Sequence, residues 1–175
     1  QRMNNSWQAL YRLPCPYQLV SMINHIDLPL TDIYKLRISY DIDTWDYHLA
    51  SYEIKPIRKV RLIVDNDIDY KHKFSDREAL KKLYDLKGNA DDIVIVKNEK
   101  LTDSYFCNIA LEKDGLWYTP EQPLLFGTQR ASLIDSAKII PTVIHQETVS
   151  QYSRIMFFNA MIEFEALILD TSAVI

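Results

Sequence analysis

Between Asp91 and Arg130 the chain sets two short apolar runs, at 93–96 and 106–111, around the polar group Thr102, Asp103 and Ser104. An Asp114-Gly115 turn follows and leads into Leu116-Trp117-Tyr118-Thr119-Pro120. Gly127-Thr128-Gln129-Arg130 then opens an amphipathic helix. Short apolar runs bounded by turn residues predict strands buried in a sheet. An acid, an amide and a glycine turn set among such strands point to something held there. The other segments are read as scaffold around this stretch.

A length of 175 residues bounds the chain to one domain or two small lobes. Hydrophobic residues at 47% and charged residues at 25% give a globular balance. The net charge of −4 argues against a nucleic-acid surface, which is normally basic. No apolar run approaches the ~18 residues of a membrane span, and no signal peptide is visible. Cys15 and Cys107 are too few for a disulfide framework or a Cys-rich zinc site, so a reducing cytoplasm is the expected compartment. His25, His48, His72 and His145 are scattered without metal-ligand spacing, and no metal is expected. Only 3 glycines are present, which excludes GxGxxG and Walker A loops. Any phosphate bound here must use helix N-termini and side chains.

In chain order, 1–13 reads as a helix with Met3, Trp7 and Leu10 at helical spacing, stopped by Pro14. A second helix starts near Pro16 with Leu19, Val20, Ile23 and Ile26 on its apolar side. Strands at 32–41 and 45–57 form a hairpin about Asp41-Ile42-Asp43-Thr44, and 60–64 is a third strand. Asp65-Asn66-Asp67 marks a lobe boundary, giving a small lobe at 1–66 and a larger one at 67–175. Asp76 caps a helix carrying Ala79, Leu80, Leu83 and Leu86, which Gly88 ends. The helix at 128–138 turns Ala131, Leu133, Ile134 and Ala137 inward. A strand at 139–145 interrupted by Pro141, a short helix at 147–152 and strands at 155–158 and 164–169 complete an α+β order, mostly antiparallel with helices outside. Trp7, Tyr11, Trp45 and Tyr47 read as core aromatics first and interface anchors second.

Candidate chemical residues follow. Lys73 has Lys71, His72 and Arg77 nearby. Neighbouring cations and burial both favour a neutral amine able to form a Schiff base; the plainer reading is a solvated cationic loop. Asp103 could bond a protonated ring nitrogen, or be a turn aspartate bonding its own backbone. Asn108 interrupts a strand and could serve structure or ligand equally. The N–H groups of Thr128 and Gln129 form a ready anion site, as at any helix start. Asn159-Ala160 ends a buried run and could form a second edge of that site or simply start a loop. Cys107 reads as a buried apolar filler.

Together these pieces resemble the class IV aminotransferases, the fold-type IV pyridoxal-phosphate (PLP) enzymes, which include branched-chain and D-amino acid aminotransferases and 4-amino-4-deoxychorismate lyase. The resemblance covers most of the chain and is strongest at 70–130 and 158–161. It implies a two-lobed, D-amino acid aminotransferase-like fold of mixed, mostly antiparallel sheets. Lys73, followed by Asp76-Arg77, resembles the lyase lysine that carries the cofactor through an aldimine; Lys71 is the fallback. Asp103 falls at the family's ring-nitrogen glutamate and Asn108 at its asparagine. The 114–120 segment resembles the family's DG-x-hydrophobic-TP turn. Gly127-Thr128-Gln129-Arg130 resembles the G-I-T-R phosphate helix, Asn159-Ala160 the last phosphate loop, and Arg2 the arginine of H-x-x-R.

Relative to the family the chain is expected to lack about one hairpin before Gln1, and Asp103 is one methylene shorter than the usual glutamate. The implied function is a lyase converting 4-amino-4-deoxychorismate to 4-aminobenzoate and pyruvate. The alternatives are a class IV aminotransferase for branched-chain or D-amino acids, or a degenerate member without turnover. A small-molecule amino substrate and a homodimer are implied, with neither nucleic acid nor membrane as partner.

Overall fold

The computed structural model describes residues 2–29 and 31–175. The chain packs as two compact units, 1–54 and 55–175. The first holds helices α1 (Arg2–Tyr11) and α2 (Leu19–Asn24) and the hairpin of β1 (Tyr34–Tyr40) and β2 (Trp45–Ser51). Leu36 faces Leu49, Ile38 faces Tyr47 and Tyr40 faces Trp45 across that hairpin. Asp41 closes its turn by accepting the N–H groups of Asp43 and Thr44, both at 2.9 Å. Trp7 is the core of this unit, its ring 4.5 Å from that of Tyr11, 5.4 Å from Tyr17 and 6.1 Å from Tyr40. Tyr47, by contrast, is exposed.

Two expectations change in this unit. The packed side of α2 carries Met22, with Ile26 just beyond the helix, whereas Val20 is 73% exposed. Six residues make under two turns, too few for apolar spacing to fix a face. β2 also ends at Ser51 rather than 57. The Tyr52 N–H still reaches the Ile33 carbonyl, and Pro56 beyond it has no N–H to give a ladder.

The second unit contains β3 (Val60–Val64), α3 (Glu78–Asp85), β4 (Asp92–Lys97), β5 (Lys100–Ser104), β6 (Asn108–Lys113), β7 (Leu116–Pro120), α4 (Thr128–Asp135), β8 (Ile140–Thr142), β9 (Arg154–Phe158) and β10 (Ile168–Asp170). One sheet runs β10-β9-β6-β5-β4-β3, and β7 pairs with β6 and β8. β3–β4 and β7–β8 are parallel; the other pairs are antiparallel. β3 therefore belongs with β4 through the α3 crossover, not with the hairpin of the first lobe. Asp65-Asn66-Asp67 is a turn inside this unit: Asp65 accepts the N–H groups of Asp67 and Ile68 at 2.8 Å.

Other local departures share a cause in buried polar groups. Thr102, Asp103 and Ser104 lie within β5 rather than between strands. The turn precedes them, at Asn98 and Glu99, whose φ angles are +50° and +66°. Asp114 (φ +54°) and Gly115 (φ +77°) make the matching turn between β6 and β7. Arg77, not Asp76, sits at the N-terminal boundary of α3, though Asp76 still accepts the Glu78 N–H at 2.8 Å. On α4, Arg130 and Leu133 are buried while Ala131 faces outward, and the helix ends before Ala137, which is exposed at φ +55°. The stretch at 146–151 is a 3₁₀ turn, and the last strand is only Ile168–Asp170. No described helix is long and apolar enough to cross a membrane.

Both faces of the central strands are covered. Val94, Val96, Ile109, Leu111, Ile155 and Phe157 join one cluster, and Ile93 and Ile95 join another with Leu80 and Leu83 of α3. Ala110, Met156 and Phe158 pack with Leu133 of α4. Phe157 is fully buried. Phe157→Ala is expected to destabilise the second unit by about 3–5 kcal/mol in urea unfolding, since it leaves a cavity. Val64→Ala, at a position 58% exposed, should change it by less than about 0.5 kcal/mol.

Candidate functional site

The site is built where the sheet divides. On one side of β6 lies β9, with Asn108 opposite Phe158. On the other side β5 meets only the start of β6, Asp103 opposite Asn108, while β7 meets its end. The carbonyl of Ile109, at the parting, accepts the Thr119 hydroxyl at 2.8 Å. The parting brings Asp103 and Asn108 beside the loop ahead of α4.

Asp103 is 5% exposed. One carboxylate oxygen accepts the Leu125 N–H at 2.8 Å, the other the Asn108 side-chain amide at 2.8 Å. The same amide nitrogen donates to the Leu125 carbonyl at 2.9 Å. This is not an aspartate bonding its own turn; it ties two strands to a loop. Burial pushes its carboxyl up to about 7, against the Leu125 N–H, the Asn108 amide and the Arg130 charge, which pull the other way. Arg130 is buried on α4, donates to the Pro120 carbonyl at 2.8 Å and lies 5.6 Å from the Phe126 ring.

Gly127 precedes α4 with extended backbone (φ −70°, ψ 148°) and offers no side-chain cap. A Cβ there would collide with Asn108 Oδ1, so only glycine lets the helix start come this close. Thr128 and Gln129 follow as the first helical residues, in the first turn, whose N–H groups have no carbonyl four residues back within the helix.

Asn159 leaves the end of β9, and its side chain is occupied locally. Its oxygen accepts the N–H groups of Met161 (2.8 Å) and Ile162 (3.1 Å), and its nitrogen reaches the Phe106 carbonyl and the Cys107 sulfur. Asn159 therefore shapes its turn, and Ala160 is exposed in it. Cys107 is buried as expected, and burial raises its thiol pKa.

Lys73 lies on the irregular segment between β3 and α3 and is exposed, so the burial expected for it is not found. Lys71, the fallback, pairs with Asp69 at 3.2 Å and lines a separate cleft of about 250 Å³ with Lys97, Lys100 and Thr102. Arg2 opens α1 in the first unit.

Asp103, Asn108, Gly127 and Arg130 are thus drawn together, with Thr128 and Gln129 adjoining. Two relevant residues escape a reading by sequence alone. Asp92 is fully buried at the start of β4, its carboxyl pushed up to about 6 by burial. Its only trace is a second acid after Asp91, directly ahead of an apolar run. Arg130 is the other; the sequence reads it only as part of the helix start, not as a buried guanidinium.

No protein-family model matches the chain. It is 35% identical over 153 residues to an uncharacterized protein of Haemophilus influenzae, spanning 87% of this chain and 75% of that one. It is similar to the crystal structure of a "putative 4-amino-4-deoxychorismate lyase" from Haemophilus somnus, at 32% identity and a TM-score of 0.87, over 94% of this chain and 87% of that chain. The branched-chain amino acid aminotransferase of Escherichia coli shares the fold at 13% identity and a TM-score of 0.63, over 96% and 66%. The two-unit architecture, the divided sheet and the likeness to the Haemophilus somnus protein together mean that the chain belongs to the fold-type IV family of pyridoxal-phosphate enzymes.

Proposed function

We propose that this protein is a PLP-dependent lyase that releases pyruvate from 4-amino-4-deoxychorismate to leave 4-aminobenzoate. The observation that carries the cofactor is Asp103: a buried acid held by two neutral donors beside the start of a helix. Such a carboxyl suits a protonated ring nitrogen, whose charge would offset the cost of keeping it ionised. The uncapped start of α4 suits a phosphate, which its N–H groups and helix dipole favour. The lyase reading, rather than the aminotransferase one, is supported by Lys73-x-x-Asp76-Arg77, by Asn159-Ala160-Met161 and by the name of the Haemophilus somnus protein.

When bound, PLP supplies an electron sink for bond breaking next to the substrate amine. The chain's own residues do the rest. Lys73 would hold the cofactor, and its amine would carry the proton to and from the reacting carbon. Asp103 holds the ring nitrogen's proton. Asn108 keeps that carboxylate aimed, and Thr128 and Gln129 offer N–H groups to the phosphate. A homodimer is the proposed assembly.

Incubation with PLP should give a visible band that borohydride bleaches, with the label on Lys73 by peptide mapping; Lys73→Ala should lose both. An unchanged band in Lys73→Ala would move the attachment to another lysine. Formation of pyruvate with 4-aminobenzoate supports the lyase, and a keto acid with glutamate would replace it by a transaminase.

Two further outcomes follow from the site's geometry. Gly127→Ala should push Asn108 off Asp103 and Leu125, costing about 1–3 kcal/mol in thermal unfolding and weakening PLP uptake. The carboxyl of Asp103 rises from 3.8 to about 7 on folding, so the folded protein binds the extra proton between those values. Stability from this group is therefore full below about pH 4 and is lost as pH rises through about 7. In the cofactor-free protein, Asp103→Asn should flatten that decline, measured by urea unfolding across pH. A smaller slope from Asp92, near 6, should remain.

A further inference from the structure

Lys73 sits on a segment pinned at both ends. At one end Tyr70 donates its hydroxyl to the Phe74 carbonyl at 3.0 Å, and its ring packs against the cluster of Ile68, Leu80, Leu83 and Ile93. At the other, Arg77 reaches Tyr105: its guanidinium donates to the Tyr105 carbonyl and lies 4.4 Å from the ring centroid. Tyr84, two turns further along α3, stacks on the same ring at 4.3 Å. Tyr105 lies in the turn between Asp103 and Asn108. One tyrosine thus links the lysine segment to the strand pair that carries the buried acid.

Behind this grip stands Asp92, fully buried, with the Ile93 N–H on one oxygen at 2.8 Å. The Ser104 hydroxyl, the Tyr105 N–H and the Arg77 charge all act on its carboxyl. Its other oxygen and the Arg77 Nε are buried without a hydrogen-bond partner. A buried acid and a half-buried guanidinium left incompletely bonded are costly as packing alone. Arg77 bears its share of that cost where it grips Tyr105.

We infer that Arg77 is the positioning residue for Lys73, holding the lysine segment to the turn between Asp103 and Asn108. The inference rests on Lys73 being the PLP-bearing lysine. A lysine attached to its segment only by chain connectivity would sample many positions; fixing the segment raises its effective concentration at the site.

The test uses cofactor-free protein, PLP at graded concentrations, borohydride reduction and peptide mapping. In the unsubstituted protein the label should fall on Lys73. Arg77→Gln should raise the half-saturating PLP concentration roughly tenfold and move part of the label to Lys71. Leu169→Ala, a core change on β10 at the opposite end of the sheet order from β3, should lower the melting temperature while leaving site and concentration unchanged. Should Arg77→Gln fail to fold by near-ultraviolet circular dichroism, Arg77→Lys carries the same expectation, since it keeps the charge but loses the planar fork. Unchanged labelling in the folded Arg77 variants would overturn the inference, as would an equal change in Leu169→Ala. An unsubstituted protein that labels elsewhere than Lys73 would instead remove the reading of Lys73, and the inference with it.

Discussion

The arrangement of the second unit depends on one carboxylate. Asp103 accepts a main-chain N–H from the loop before α4 and a side-chain amide from β6. Burying an acid is expensive unless donors meet it, and here they come from two different segments. The same Asn108 nitrogen also satisfies the Leu125 carbonyl, so three pieces of chain share one knot. That knot fixes where α4 begins, and Gly127 is the residue small enough to let it begin there.

The division of the sheet creates the need for such polar side chains. Where β5 leaves β6 and β7 has not yet joined, main-chain carbonyls would lack ladder partners. A side chain takes one there, Thr119 giving its hydroxyl to Ile109, and Thr102 likewise gives its own to Ile95 at 2.7 Å where the β4–β5 register shifts. The polar residues of this interior are therefore structural first. The site arises at the same place because a parting in a sheet is where side chains can converge without a neighbouring strand in the way. The register pair Asp103 and Asn108 is then both the last rung of one ladder and the floor of the candidate site.

This explains what the sequence made legible. The apolar runs, the Asp114-Gly115 turn and the glycine before α4 carry local signals that tertiary packing leaves intact. The acid and amide five residues apart lie opposite each other because a short turn joins their two strands. Thr102 to Ser104 read as a connection because polar side chains usually face water; here they turn inward to carbonyls that only the folded sheet leaves bare. The burial of Arg130 is illegible for the same reason: a charge ordinarily favours exposure, while its guanidinium serves the buried Pro120 carbonyl. The face of α2 was illegible because six residues are too few to reveal a period. Asp92 was illegible because its partners lie on β5 and α3, remote in sequence.

Asp103 and Lys73 are treated oppositely by the fold, and the contrast suits their proposed work. An acid that serves a ring nitrogen has one position to keep, so burial and two fixed donors suit it. The shorter aspartate is no handicap to that bonding, since Leu125 and Asn108 both come to within 2.8 Å of it. A longer side chain at the same Cα would carry its oxygens past these donors. A lysine that must bond a cofactor, release it and then move a proton needs freedom at its tip and restraint at its base. Lys73 has an exposed side chain on a segment tied at Tyr70 and Arg77, so the backbone's anchors supply that restraint.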